Sequence, residues 1–121
     1  MTTTPEGRVS AALRQAVIRY GGEIRKVQWQ GRVGAPDWLV MLSGGAIFVE
    51  TKAPGGVPRR SQMVEFSRIY RACGIPVLVI DRAEVALDII DALLSRAEGD
   101  YGPYRIMIET YSFERFLKEK Q

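Results

Sequence analysis

The chain has 121 residues, 46% hydrophobic and 26% charged, the composition of a soluble globular protein with one core, expected to be a single domain over 1–121. No apolar run approaches the ~18 residues of a membrane span, the opening MTTTPEGR lacks the apolar segment of a secretion signal, and the absence of histidine excludes His-activated nucleophiles and His-ligated zinc. Net charge is +3 but uneven: residues 1–60 carry nine basic and four acidic side chains, residues 61–121 eight and ten, a mild pointer to a polyanionic partner.

Thr4-Pro5 reads as a helix start, with Thr4 as N-cap and Pro5 in the first turn. Val9, Leu13, Val17 and Tyr20 follow at helical spacing, Glu6 falls on the same stripe, and Gly21-Gly22 ends the helix. The stretch from Ile24 to Trp29 reads as an edge strand, and Gln30 to Ala35 as a Gly-rich loop carrying Arg32. Two apolar strands come next, Asp37–Ser43 and Ala46–Lys52. A Pro- and Gly-rich loop with Arg59 and Arg60 leads to a second helix, with Ser61 as its expected cap, Phe66, Ile69 and Cys73 on one face, and Gly74 at its end. Cys73 is expected to be a buried apolar residue, and as the only cysteine it fits a reducing, cytoplasmic compartment.

The unbroken run from Ile75 to Ile80 suggests a strand buried on both faces and parallel to 46–52. Val85 to Leu94 reads as a third amphipathic helix. Beyond Glu98 the pattern is poor; Tyr104 to Ile108 is expected to be a strand and Ser112 to Lys120 a short helix.

Charges stand only at the ends of the central strands. If Gly44-Gly45 form a two-residue hairpin loop, Ser43 pairs with Ala46, Leu39 with Glu50 and Asp37 with Lys52, and the three charged groups converge on one face. Two carboxylates on a rigid sheet make a hard oxygen site suited to Mg²⁺ or Mn²⁺, and a lysine beside them can orient water or stabilise a charged transition state. A structural salt bridge between Asp37 and Lys52 is the competing account.

PDWLVMLSGGAIFVETK resembles the PD-(D/E)xK nuclease signature, with Pro36-Asp37 as its first half and Glu50-Thr51-Lys52 as its second. More narrowly, the chain resembles stand-alone, phage-type members of the VRR-NUC (virus-type replication-repair nuclease) family. That resemblance rests on Glu6, Gly21-Gly22, Lys26, Gly34-Ala35-Pro36-Asp37, Glu50-Thr51-Lys52-Ala53-Pro54, Gln62 and the Gly74 turn, and fades past Asp81. It implies that Asp37, Glu50 and the Thr51 carbonyl ligate a metal, that Lys52 acts on the attacking water, that Gln62 supports the lysine or phosphate, and that Glu6 is a further active-site acid. For Glu6, simple helix-start polarity explains the residue equally well. Lys26, Arg32, Arg59 and Arg60 are candidate DNA contacts, or ordinary surface charges. Trp29 and Trp38 offer rings to bases, although Trp38, on the face opposite Asp37, reads as core.

The expected fold is α/β, a restriction-endonuclease-like core of about residues 6–97 with a mixed β-sheet flanked by helices, extended by residues 98–121 without an assigned role. The expected function is Mg²⁺- or Mn²⁺-dependent hydrolysis of DNA, with branched DNA such as a Holliday junction and a homodimer implied by the family. The rivals are a catalytically silent DNA-binding module and a structural protein whose strand-end charges are salt bridges. For dimerisation, the third helix and the aromatic tail from Tyr101 to Phe116 are candidate surfaces; a tail that caps its own core is the other reading.

Overall fold

The computed structural model describes residues 3–118. Helix α1 (Pro5–Arg19) begins where expected, with the Thr4 hydroxyl accepting the Gly7 N–H at 2.9 Å. Val9, Leu13, Ala16 and Val17 form its buried stripe; Tyr20 lies past its end, exposed, and is not part of it. Strands β1 (Glu23–Lys26), β2 (Trp38–Leu42), β3 (Gly45–Thr51) and β4 (Val77–Ile80) form one sheet in that order. The first two pairings are antiparallel and β3–β4 is parallel, so α2 (Arg60–Cys73) is the crossover between β3 and β4. β4 is buried at all four positions, as its continuous apolar run requires. The edge strand β1 is shorter than the expected 24–29.

Helices α1 and α3 (Val85–Ala97) cover one face of the sheet through Leu13, Val17, Ile89 and Leu93 over Val40, Ile47, Val49 and Ile80. On the other face Met63 and Phe66 of α2 pack with Phe48, Val77 and Val79. Phe66 is fully buried, and its truncation to alanine would cost about 3–5 kcal/mol.

The hairpin loop is Ser43-Gly44, not Gly44-Gly45, and the register is Leu42↔Gly45, Val40↔Ile47 and Trp38↔Val49. Packing sets this position. Gly44 (φ 98°) presses against the Leu93 carbonyl of α3, where a Cβ would overlap the oxygen, while Arg96 donates to the Gly44 carbonyl at 2.9 Å. Moving the loop by one residue shifts each partner by two, so every side chain keeps its face. Asp37 therefore stands across from Glu50 rather than Lys52.

Three further expectations are corrected. Residues 104–108 lie in a helix, α4 (Gly102–Tyr111), because Tyr104, Met107, Ile108 and Tyr111 meet the core at helical, not alternating, spacing. Arg59, not Ser61, is the N-cap of α2, its backbone N–H bonded to the Gln62 side chain at 2.9 Å. Cys73 is exposed, in the last turn of α2 before the left-handed Gly74 (φ 73°). In the tail, Ser112 bridges to Leu78, and Phe113 and Phe116 are buried beside Phe66 and Val79, so this segment covers the chain's own core. The short last helix is α5 (Glu114–Lys118); residues 119 and 120 of its expected span lie outside the described residues. Among the described residues no helix is long and apolar enough to cross a membrane.

Candidate active site

The end of the β2–β3 hairpin away from its turn gathers polar groups inside an apolar frame. Glu50 is only 2% exposed, on the α2 face of the sheet with Phe48 and Val79. Its Oε1 accepts the Asp37 backbone N–H at 3.0 Å, while its Oε2 accepts the Gln62 Nε2–H at 2.6 Å and lies 3.1 Å from Lys52 Nζ. Gln62, buried near the start of α2, also accepts from Lys52 Nζ at 3.3 Å through the same Oε1 that accepts the Arg59 N–H. One amide thus fixes the carboxylate, the ammonium and the helix start together.

Asp37 is held from the other side. Its Oδ2 accepts both the Thr51 N–H and the Thr51 hydroxyl at 3.0 Å, and its Oδ1 lies 3.6 Å from Lys26 Nζ. Thr51 Oγ1 is also 2.7 Å from Ser10 Oγ on α1, which links that helix to the strand end. Lys26 stands opposite Trp38 in the β1–β2 register, its ammonium 4.8 Å from the centre of the indole ring. Trp38 is half-buried against the α1 core, and Trp29 packs edge-on against Phe48.

Electrostatically the pair is strained. Burial, and then the neighbouring Asp37 charge, push the Glu50 carboxyl above the usual carboxylate range, against the opposing pull of Gln62 and Lys52. No Asp37–Lys52 salt bridge forms; Lys52 turns to Glu50 and Lys26 to Asp37. Asp37, Glu50, Thr51, Lys52 and Gln62 are therefore brought together, as the sequence suggested, and Lys26 joins them directly. Glu6 is exposed on α1, one turn before Ser10 and on the same face, without a hydrogen bond or ion pair among the described residues. Arg59 and Arg60 are exposed at the head of α2, and Arg32 is 3.1 Å from the buried Glu65.

Sequence reasoning missed Ser10, the partner of Thr51, and Glu65, the buried partner of Arg32. The signal for Ser10 was its spacing of four from Glu6 on α1; Glu65, an acid beside the buried Phe66, carried none.

A mixed sheet that sets Pro36-Asp37 at one strand end across from Glu50-Thr51-Lys52 defines the PD-(D/E)xK class of nuclease fold. Comparison with known proteins narrows this. No protein-family profile matches the chain. A phage protein described as "Putative nuclease p44", from Acyrthosiphon pisum secondary endosymbiont phage 1, is 39% identical over 82 residues, covering 67% of this chain and 87% of that one. A solved structure described as "VRR_NUC domain" superposes with a TM-score of 0.65 at 35% identity, covering 74% of this chain and 97% of the other. The chain belongs to the VRR-NUC nuclease family.

Proposed function

We infer that the chain is an endonuclease that hydrolyses phosphodiester bonds in DNA with Mg²⁺ or Mn²⁺. The observation that carries this reading is the meeting of Asp37 and Glu50 through the Asp37 N–H, with Lys52 and Gln62 bound to the same carboxylate. The donor set fits a hard divalent cation: two carboxylates, one of them buried, and the Thr51 carbonyl at the strand end. When bound, such a cation lowers the pKa of a water and neutralises charge on the phosphate.

The remaining work falls to the chain. Lys52 Nζ orients the attacking water or donates to the phosphate as negative charge builds there. Gln62 keeps Lys52 and Glu50 at fixed separation, so the donor and the ligand approach the phosphate as a unit. Thr51 and Ser10 hold Asp37 in one rotamer. Glu6, on the same face of α1 as Ser10, supplies a further acid at the rim. Arg32, Arg59, Arg60 and Lys26 bind flanking phosphates without reading sequence.

The substrate proposed is branched DNA, including four-way junctions, in replication or repair within the cytoplasm of a phage-infected or bacterial host. One chain holds one such site, so paired cuts call for a C2 homodimer. The test is cleavage of a panel (duplex, nick, flap, fork, four-way junction and single strand) with Mg²⁺ or Mn²⁺, with Asp37→Asn as control. Metal-dependent cutting that the variant loses is the expected result. Failure to cut any member, together with no rise in melting temperature on adding either cation, would overturn the reading and favour a silent DNA-binding module. Light scattering checks assembly: a monomeric mass from a protein making paired junction cuts contradicts the dimer.

A further inference from the structure

Beside the carboxylates, the loop through Gly31, Arg32 and Val33 and the first half of α2 enclose a cleft of about 630 Å³. Its lining is largely apolar, with the exposed Val33 on the loop side and Val64 on the helix side (75% and 48% exposed). Arginines rim it. Arg60, Val64 and Arg68 follow one another at every fourth residue, along one face of α2, and Arg32 closes the far side. Arg32 is 3.1 Å from Glu65, whereas Arg60 and Arg68 form no ion pair among the described residues and keep their charge for a ligand. The cleft walls are fixed rather than loose. Gly34 (φ 91°) lies so close to the Ser61 carbonyl that a side chain there would push the loop off the helix.

We propose that this cleft receives a single nucleobase turned out of the DNA strand next to the scissile phosphate, which makes the preferred substrate a strand with an unpaired base beside the cut. The inference rests on the nuclease reading above and deepens it. Three observations select this occupant. An apolar lining flanked by the guanidinium groups of Arg60 and Arg68, with the acid of the lining, Glu65, held by Arg32, matches a nucleotide, which offers a flat apolar base and an anionic phosphate together. The cleft is large enough for a base and its sugar. It also adjoins the active site through the loop that walls it: Gly34 packs on Ser61, and Asp37 follows only three residues later. A base in a duplex cannot enter without leaving its partner, whereas one in a gap, loop or junction arm enters at little cost.

The experiment uses the full chain with divalent cations withheld, so that DNA binds uncut. 2-Aminopurine is placed at each position in turn through a gapped and a fully paired DNA. One position near the cut site of the gapped DNA should brighten several-fold on saturation, and no position in the paired DNA should match it. The double variant Val33→Ser/Val64→Ser removes apolar lining at two exposed positions and leaves every arginine in place. It should lose the brightening with affinity little changed, and with cations restored it should lose the preference for gapped over paired DNA. Binding without a brightening position, or a brightening that survives in the double variant, overturns the cleft proposal and leaves the nuclease reading standing. Absence of both binding and cleavage on every DNA sinks the two together.

Discussion

The two ends of the β2–β3 hairpin are built on opposite physical terms. At the turn, Gly44 seats against the Leu93 carbonyl, Arg96 donates to the Gly44 carbonyl, and the same guanidinium lies 4.3 Å from the centre of the Tyr104 ring. Every contact there favours the folded chain. At the other end, Glu50 is buried beside a second carboxylate, and only Gln62, Lys52 and one backbone N–H offset the loss of water. The register anchored at the turn is what keeps Asp37 across from Glu50. A one-residue slip would send Asp37 to the other face and dissolve the pair. The stable end thus specifies the geometry of the costly one.

Substitutions at the two ends should separate activity from stability. Glu50→Gln removes the buried charge, keeps the size and retains a carbonyl for the Asp37 N–H. Cleavage should fall by several orders of magnitude, while the melting temperature holds or rises and its response to Mg²⁺ disappears. Gly44→Ala should do the reverse. Its positive φ and the Leu93 carbonyl leave no room for a methyl, so stability should drop by about 3 kcal/mol and the melting temperature by on the order of 10 °C. The cleavage rate per folded molecule, measured well below the transition, should stay near the parent's. A Glu50→Gln protein that melts early, or a Gly44→Ala protein that is folded yet inactive, would break the division.

Within the carboxylate end, the two acids can be compared through their supports. Gln62 touches Glu50 and Lys52 directly, whereas Ser10 reaches Asp37 only through Thr51. Gln62→Ala should lower the single-turnover rate by roughly 10–100-fold. Ser10→Ala, which leaves both Thr51–Asp37 hydrogen bonds in place, should cost only a few-fold and about 1 kcal/mol of stability at most. Equal losses in the two variants would mean that Asp37 depends on α1 as heavily as Glu50 depends on α2.

Much of this site was legible because its residues obey simple periodicities. Glu50 and Lys52 are two apart on a strand, Gln62 opens a helix stripe, and the Gly-containing turn folds Asp37 back onto Glu50. The register was misread by two because two glycines in a row offer two loops of equal local merit. The choice between them was made by α3, fifty residues later in the chain, through Leu93 and Arg96. The tail was misread for a related reason. Residues 104–108, YRIMI, satisfy an alternating pattern as well as a helical one, and only packing on α3 and β4 decides between them. Cys73 has a helical spacing from Phe66 and Ile69, but residues 71–73 are exposed, so periodicity overstated how far the buried stripe runs.

The smallest effect belongs to that tail, whose packing supports the turn end. Burial raises the Tyr104 phenol above its ordinary value near 10, and burial followed by a hydrogen bond to Asp88 raises that of Tyr111. Each phenol therefore holds its proton more tightly in the folded chain than in the unfolded one. The sign follows: this contribution is complete below pH 10 and is lost as pH rises through the higher folded-state values. Deprotonation of Tyr111 would also set a phenolate against the Asp88 carboxylate at a 3.0 Å contact. The parent should lose melting temperature between about pH 9 and pH 11, and the double variant Tyr104→Phe/Tyr111→Phe should lose less over the same interval. At neutral pH the variant should be slightly less stable, by about 1 kcal/mol, because Asp88 gives up its donor. Its cleavage rate at neutral pH should match the parent's, since both rings lie in α4 and neither touches Asp37 or Glu50. Parallel pH curves for the two proteins would show that the phenols titrate alike in the folded and unfolded chains, and that the alkaline limit of the turn end is set elsewhere.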